Sequence, residues 1–303
     1  MEIIFQQLIN GLSLGAIYAL IALGYTMVYG IIELINFAHG DVYTLGSFFS
    51  LMILGLMGVS TTLHGALLVG VVLVTVLGAM ILCGIVGVLI ERLAYRRLRN
   101  APRLAPLITA IGVSFILENV MQLWRGPSPV NFPDIIPNPY LHMGNVGIAT
   151  KQIIVIVLAI VMMIGLQAFV QNTKMGKAMR ATAQDRDAAQ LMGININTTI
   201  AVTFLIGSAL AGAAGFVSGI YYGSTWFFNG FSAGLKAFTA AVLGGIGNIA
   251  GAMLGGFLIG LIEAFTTQFI SDQWSNVVVF SVLVLVLIFR PSGLLGEQLP
   301  DKV

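Results

Sequence analysis

Long apolar runs separated by short polar segments constrain this sequence more than any other feature. A helix needs roughly 20 apolar residues to cross the hydrocarbon core of a bilayer, and soluble domains carry about 25% charged residues. Here 9% of the residues are charged and 58% are hydrophobic, more apolar surface than a soluble core could bury. The pattern predicts an all-α polytopic integral membrane protein whose main solvent is the lipid bilayer.

The apolar runs define nine candidate spans. They cover residues 3–31, 42–59, 65–90, 104–123, 152–170, 199–221, 233–246, 250–270 and 275–289. The run at 233–246 is short and interrupted by Gly, so we expect a re-entrant or broken helix there. We therefore predict about eight transmembrane helices plus this segment, in a single transmembrane domain over residues 1–303. No basic residue precedes the first run, so we expect a retained span and not a cleaved signal.

The basic residues predict the orientation of the chain. Eleven of the 14 Lys and Arg residues follow the third, fifth or last span. They are Arg92, Arg96, Arg97, Arg99, Arg103, Lys174, Lys177, Arg180, Arg186, Arg290 and Lys302. The positive-inside rule assigns these segments to the cytoplasm, with the N-terminus outside, the C-terminus inside and residues 124–151 as an external loop. Termini on opposite sides require an odd number of crossings, so if 233–246 does not cross the membrane, one other span is miscounted.

A polar segment at residues 171–199 interrupts the hydrophobic pattern on the basic side. Within it, residues 183–193 are expected to form a short amphipathic helix that ends at Gly193, because Gly commonly terminates helices. Such a helix, held between spans, is suited to docking on a partner protein. The alternative is an ordinary solvated loop helix.

Two Gly-marked breaks interrupt the apolar runs, at residues 36–41 and 234–248. Irregular backbone at membrane depth is tolerated only where it lines a cavity or is buried in protein, and discontinuous helices build substrate sites in transporters. We therefore expect a substrate pathway near mid-membrane around these breaks. Its candidate residues are Asn36, His39, Lys236, Gly245 and Gly247.

Ionisable residues inside the apolar runs need a partner or a wet cavity, because a charge at mid-membrane costs about 2.5–3.5 kcal/mol. Lys236 could pair with a substrate carboxylate; alternatively it extends to the interface or pairs with Glu263. Glu118 could serve structurally by facing Asn119, Gln122 or Arg125. His39 and Asp41 could form a proton relay, or they could cap the second helix at the cytoplasmic edge.

Glycines recur four residues apart, as at Gly11 and Gly15 or at Gly256 and Gly260. This spacing places both residues on one helix face and lets two backbones approach closely in lipid. The faces could pack within one subunit or form a subunit interface.

Signatures of enzymes and of nucleotide binding are missing from the sequence. It contains no Gly-x-x-x-x-Gly-Lys-Ser/Thr segment to hold ATP phosphates. His, Cys and carboxylate residues show no metal-ligand spacing, and no Ser/His/Asp arrangement is evident. We expect a protein that is not an enzyme and holds no cofactor or metal of its own.

Three segments carry a resemblance to a known family. They cover residues 10–41, 91–96 and 236–247, the last reading Lys-Ala-Phe-Thr-Ala-Ala-Val-Leu-Gly-Gly-Ile-Gly. Together they resemble the LivH-type permeases of branched-chain amino acid ABC importers, over nearly the full chain. The family's coupling motif Glu-Ala-Ala-x-x-x-Gly resembles Asp187, Ala188, Ala189 and Gly193, with a shorter carboxylate side chain at the first position.

The resemblance implies a permease subunit in the bacterial inner membrane that moves branched-chain or other neutral amino acids into the cytoplasm. Its implied partners are a sister permease, an extracytoplasmic substrate-binding protein and two ATPases that bind ATP and Mg; no nucleic acid is involved. A permease for urea or amides, a stand-alone secondary carrier or channel, and a membrane scaffold without a pathway are the alternatives.

Overall fold

The computed structural model of this protein describes residues 2–32, 36–99, 101–102, 104–137, 139–143 and 146–296. Arg103 and Lys302, which contribute to the orientation argument, lie outside these ranges. Four fifths of the chain is helical, which confirms the all-α class.

Within the described residues the chain forms eleven α-helices and four short strands. The helices are α1 (Glu2–Ile32), α2 (His39–Leu56), α3 (Gly65–Ile90), α4 (Leu104–Arg125), α5 (Thr150–Asn172), α6 (Lys174–Gln184), α7 (Arg186–Leu191), α8 (Ile196–Tyr222), α9 (Asn229–Gly244), α10 (Ile249–Phe269) and α11 (Asp272–Phe289). A π-helical turn (Glu91–Tyr95) and a 3₁₀ turn (Arg96–Leu98) extend α3. The strands are β1 (Val130–Asn131), β2 (Tyr140–Met143), β3 (Val146–Ala149) and β4 (Ser224–Thr225).

Seven helices among the described residues are long and apolar enough to cross a membrane. They are α1, α3 with its extension, α4, α5, α8, α10 and α11. The predicted count of about eight is therefore not confirmed. Helix α2 corresponds to the predicted span 42–59, but it begins with the polar sequence His39-Gly40-Asp41. Helix α9 has 16 residues, about 24 Å of helix, which is shorter than a hydrocarbon core of about 30 Å.

Helices α1 and α8 form the centre of the bundle. In the most apolar stretch of α1, 89% of the residues are buried inside the protein, and in α8 the share is 72%. The corresponding share in α11 is 11%, so that helix exposes almost its whole apolar surface. An apolar helix surface can face lipid directly. The buried share of a helix in this bundle therefore does not follow from its mean hydropathy.

The close approach of α1 and α10 depends on glycine. Gly15 lies against the backbone of α10, and a Cβ atom at Gly15 would be 2.7 Å from the Cα of Phe257. Gly260 of α10 lies in turn against the backbone of α1. The glycines spaced by four thus pack two helices of the same chain, one of the two arrangements that the sequence allowed.

The basic segments gather at one end of the bundle, here called the basic end. Arg99, after the 3₁₀ turn, donates a hydrogen bond to Asn197 in the first turn of α8. Arg186 of α7 donates to the carbonyl of Ile31 in the last turn of α1, at 3.0 Å. The segment after α11 donates from Leu294 to the carbonyl of Leu243 at the end of α9.

The segment between α4 and α5 packs over the opposite end. Strand β1 pairs antiparallel with β4, with Val130 opposite Thr225, and β2 pairs antiparallel with β3, with Leu141 opposite Ile148. The buried side chains of Phe132 and Ile135 anchor the segment. The amide of Leu63 donates to the carbonyl of Ile135 and so joins the α2–α3 connection to it.

Candidate substrate pathway and coupling helix

The break between α1 and α2 lies inside the bundle. Asn36 is buried, and its Oδ1 accepts a hydrogen bond from the Tyr95 hydroxyl at 3.0 Å. The His39 ring lies directly on Gly24 of α1 and contacts the Tyr25 ring, with 4.7 Å between centroids. Since Gly24 precedes the end of α1 by two turns, His39 is not at the edge of the bundle.

His39 and Asp41 are not the N-cap residue of α2, although Asp41 lies in its first turn, where the helix dipole favours a negative charge. Ala38 is the N-cap residue of α2, and no side chain caps it. Instead, the Asp41 carboxylate accepts a hydrogen bond from the Ser114 hydroxyl of α4. His39 Nε2 has no hydrogen-bond partner among the described residues.

Glycines with positive φ form the break between α9 and α10. Gly245 has a φ of +107° and Gly247 a φ of +92°, conformations that L side chains rarely adopt. The carbonyl of Gly244 accepts a hydrogen bond from the amide of Leu295 at 2.9 Å, so the segment after α11 satisfies backbone groups that the break would leave free. Gly247 approaches Gly30 near the end of α1, at the basic end.

Lys236 forms a buried ion pair, one of the alternatives that the sequence left open. Its Nζ lies 2.7 Å from Glu263 Oε1 of α10, and the two side chains are 10% and 12% exposed. The other oxygen, Oε2, accepts a hydrogen bond from the Tyr18 hydroxyl at 2.8 Å. Both carboxylate oxygens of Glu263 therefore have partners, as a buried charge requires.

A cavity of about 390 Å³ opens between α2, α4 and α9. This volume lies within the range of small-molecule sites. Its walls are apolar: Phe37, Ile111, Phe115, Phe228, Phe231 and Leu235. Its polar lining consists of Tyr25, Asp41, Ser114 and Glu118, together with the backbone of Gly230 and Gly234. None of the described residues that line it is basic.

The close approach of α2 and α9 shapes this cavity. Gly40 of α2 lies against the backbone of Gly230, and a Cβ atom at Gly40 would be 3.1 Å from the Cα of Gly234. Ser114 and Glu118 stand four residues apart on α4 and therefore share one helix face. That face brings both side chains to Asp41 in the first turn of α2.

An aromatic constriction separates the cavity from the basic end. The Phe238 ring lies 6.0 Å from the Tyr25 ring and 6.3 Å from the Phe37 ring. Beyond it, Asn36 and Ile246 line a space of about 10 Å³, where the two breaks meet. This space holds at most one water molecule, so it is too small for an amino acid.

The predicted helix at 183–193 is interrupted at Asp185. Asp185 has extended backbone geometry, with φ −155° and ψ 113°, so α6 ends before it and α7 begins after it. Its Oδ1 accepts hydrogen bonds from the amides of Asp187 and Ala188 at 2.9 and 3.0 Å. Asp185 thereby caps α7 and satisfies two of its first-turn amides.

Gly193 terminates α7, as the sequence predicts. It has a φ of +84°. Its amide donates to the carbonyl of Gln190, and the Ile194 amide donates to the carbonyl of Ala189, both at 3.0 Å. This pair of hydrogen bonds defines a Schellman motif, which favours Gly at the position with positive φ.

One face of α7 is buried and the other is open. Ala189 is buried, whereas Asp187 and Ala188 are exposed. The large apolar side chains at its tip, Leu191 and Met192, are 88% and 83% exposed.

A buried carboxylate organises the basic end beside α7. Glu91 is fully buried and binds both Arg96, at 3.1 Å, and Arg99. Burial lowers the pKa of the Arg99 guanidinium, and the negative charge of Glu91 opposes that shift. Among the described residues, no group of three or more His, Cys, Asp or Glu side chains could hold a metal ion.

Comparison with known proteins identifies the family. A family described as "Branched-chain amino acid transport system / permease component" matches residues 7–287. The high-affinity branched-chain amino acid transport system permease protein BraD of Pseudomonas aeruginosa is 46% identical over 98% of this chain and 97% of its own length. LivH of Escherichia coli K12 is 45% identical over the same shares. The chain belongs to this family of branched-chain amino acid permeases. A probable LivH of Methanocaldococcus jannaschii is 28% identical over 91% of the chain.

The permease is a multi-pass transport subunit and not an enzyme. ABC importers of this family hydrolyse ATP in partner subunits and use substrate-binding partners. No solved structure matches the chain.

Sequence reasoning about the permease missed the polar lining of the cavity. The sequence predicts a proton relay or a helix cap for Asp41 and neighbours on the same helix for Glu118, whereas both side chains line the cavity. Asn119 instead donates to its own backbone, at Phe115, while Glu118 faces the cavity. The usable signal was the pair Ser114 and Glu118, two polar residues one turn apart in an apolar helix. Asp41, which Ser114 contacts on α2, is 73 residues away in sequence.

Of the predicted pathway residues, the structure brings only Asn36 and His39 near Tyr25, whose ring borders both the cavity and the constriction. Lys236 lies apart in its ion pair, and Gly245 and Gly247 lie at the basic end. The exposed pair Leu191 and Met192 was also missed, because no sequence pattern distinguishes a docking side chain from a buried one.

Proposed function

We propose that this permease moves branched-chain amino acids into the cytoplasm, towards its basic end, by alternating access driven by ATP. The relatives are named as high-affinity branched-chain amino acid transport permeases, and the basic end is the cytoplasmic end by the positive-inside rule. In this orientation the N-terminus is outside, the C-terminus is inside, and residues 124–151 cover the external face.

The exposed apolar tip of α7 carries the coupling part of the proposal. Leu191 and Met192, adjacent in the chain, are 88% and 83% exposed, and a contiguous exposed apolar patch is typical of an interaction site. We assign this tip to the surface of a cytoplasmic ATPase, with the Asp187 carboxylate beside it. In this arrangement α7 is the coupling helix within the cytoplasmic segment 171–199.

A hydrogen bond links the coupling helix to the pathway. Arg186 of α7 donates to the carbonyl of Ile31, five residues before Asn36. Asn36 lines the narrow space beyond the aromatic constriction. Closure of the ATPases would displace α7, and the hydrogen bond from Arg186 would transmit this movement to the last turn of α1, close to the constriction at Tyr25, Phe37 and Phe238.

The open side of the cavity favours a second permease subunit. If lipid filled this cavity, its carboxylate lining would lie in hydrocarbon, at a cost of about 2.5–3.5 kcal/mol for a charge. A sister permease against α4 and α9 would remove that cost and enclose the pathway. The complete importer would then hold two permeases, two ATPases and a substrate-binding protein, with ATP and Mg bound by the ATPases and no cofactor in this chain.

The coupling proposal can be tested with the complete importer in proteoliposomes. Leu191→Asp and Asp187→Ala should each reduce ATP-driven L-leucine uptake, by at least tenfold for Leu191→Asp, because a charge replaces the docking side chain. Lys177→Ala is the matched control, since Lys177 is exposed on the neighbouring helix α6. Uptake at the wild-type rate in both variants would exclude α7 as the coupling helix. Leucine uptake by the wild-type permease without ATPases would favour a stand-alone carrier instead.

A further inference from the structure

The cavity between α2, α4 and α9 contains a buried carboxylate with an unused acceptor. Asp41 is 1% exposed, and its Oδ2 accepts the hydrogen bond from Ser114. Its Oδ1 is buried and has no hydrogen-bond partner among the described residues. An unpartnered carboxylate oxygen in an apolar interior costs free energy that a bound donor would recover.

A second carboxylate faces the same space. Glu118 is 7% exposed, lines the cavity and repels Asp41 electrostatically. The described lining residues include no Lys, Arg or His to neutralise the pair. A cation with several N–H donors would satisfy Oδ1 of Asp41, bind Glu118 and remove the repulsion between them.

The rest of the cavity fits the other parts of an α-amino acid. Phe115, Phe231 and Leu235 provide an apolar wall for a branched aliphatic side chain. Helix α9 begins at the cavity mouth, and no side chain caps its N-cap residue Phe228. A substrate carboxylate beside Gly230 and Phe231, which line the cavity in the first turn of α9, would be favoured by the helix dipole.

We propose that this cavity is the transport site and that Asp41 and Glu118 bind the α-ammonium group of the amino acid. Its side chain packs on the aromatic wall and its carboxylate meets the N-terminus of α9. This assignment rests on the proposed function and names the substrate contacts within it. It implies that the permease itself, and not only a binding protein, rejects acids that lack the amino group.

Uptake by conservative variants tests the two carboxylates in the complete importer. Asp41→Asn and Glu118→Gln keep the shape of each side chain and remove its charge. Each should raise the KM for L-leucine about tenfold or more, because a charge-assisted hydrogen bond is lost. Asp272→Asn is the matched control, since Asp272 is exposed in the first turn of α11, away from the cavity lining. Wild-type KM values in both cavity variants would overturn the assignment.

Protection of an introduced cysteine from maleimide labelling by bound substrate gives a second measurement. It does not require that the Asp41 and Glu118 variants are active. Ile111 lines the cavity and is 41% exposed, so Ile111→Cys should react with a maleimide. Saturating L-leucine should slow this reaction at least threefold, whereas 4-methylpentanoate, which lacks the amino group, should not. Val120→Cys, exposed on α4 outside the cavity, is the control, and the native Cys83 is buried.

The outcomes separate this inference from the proposed function. Leucine uptake by the wild-type importer, together with no protection of Ile111→Cys, contradicts the site but leaves the transport function standing. Equal protection by leucine and 4-methylpentanoate contradicts recognition of the ammonium group. Absence of leucine uptake by the wild-type importer, with no protection, contradicts the proposed function and the inference that rests on it. Protection by leucine alone supports the site even if Asp41→Asn fails to assemble.

Discussion

At the scale of single residues, the ion pair between Lys236 and Glu263 determines how the permease tolerates charge in its interior. The pair is nearly buried, and the Tyr18 hydroxyl satisfies the remaining carboxylate oxygen. Removing one partner of such a pair leaves an uncompensated charge, whereas replacing both by apolar residues is often neutral or stabilising. Lys236 therefore contributes to the packing of α9 against α10 through this pair.

A double-mutant cycle checks this assignment. We expect Lys236→Met to destabilise the folded permease by about 3 kcal/mol, and Lys236→Met with Glu263→Leu to recover most of the loss. The midpoint of thermal unfolding in detergent measures both effects. Lys151→Met is the control, because Lys151 pairs with Asp134, whose side chain is 71% exposed, and exposed pairs contribute little. Equal losses in the single and double variants would contradict an unpaired Glu263 charge as the cause of the loss.

At the scale of helices, the bundle depends on backbone contact between α1 and α10. Gly15 and Gly260 each lie against the backbone of the other helix, so no side chain can be inserted there without separating them. The same helices carry Tyr18 and Glu263. A displacement of α10 would therefore also break the hydrogen bond that satisfies Glu263.

Substitution of Gly15 tests this contact. Gly15→Val should destabilise the permease by about 1–3 kcal/mol, the usual range for overpacking, and should lower the yield of monodisperse protein in size-exclusion chromatography. Gly112→Val is matched to it, since Gly112 also lies within a helix but has no atom within 4 Å of a Cβ position. If both variants behave alike, the loss reflects the valine itself and not the helix contact.

At the scale of the whole molecule, three basic segments that are distant in sequence lie at one end, and the β1–β4 pairing lies at the other. This polarity is the distribution that the positive-inside rule expects of a membrane protein. The aromatic constriction lies between the cavity and the basic end. The space beyond this constriction, about 10 Å³, is too small for an amino acid.

Cysteine labelling from each side of the membrane measures the orientation. Ser128 in the β1 segment and Gln190 in α7 are both exposed. We expect an impermeant maleimide to label Ser128→Cys in spheroplasts and Gln190→Cys only in inverted vesicles. The parent protein, whose single cysteine is buried, supplies the background. Labelling of both positions from the same side would contradict the proposed topology.

The sequence by itself determined the class of the protein, most of its helices and its family. Apolar runs of membrane length are local properties, because lipid solvates each helix individually. The helix end at Gly193 and the break that contains Gly245 and Gly247 were also predicted from the sequence. Glycine marks such positions because a positive φ is a requirement on a single residue. The interruption of the helix at Asp185 was not predicted. An Asp side chain that binds nearby backbone amides competes with a continuous helix, and the sequence does not show which of the two arrangements forms.

Only the tertiary structure decided which polar residues meet. Asp41 and Glu118 line one cavity because α2, α4 and α9 converge there. Lys236 pairs with Glu263 because α9 and α10 pack antiparallel. The number of crossing helices also depended on it, since α2 and α9 are too short or too polar to be judged apart from their surroundings. Contacts between distant segments carry no local signal; they follow from close packing of the whole bundle.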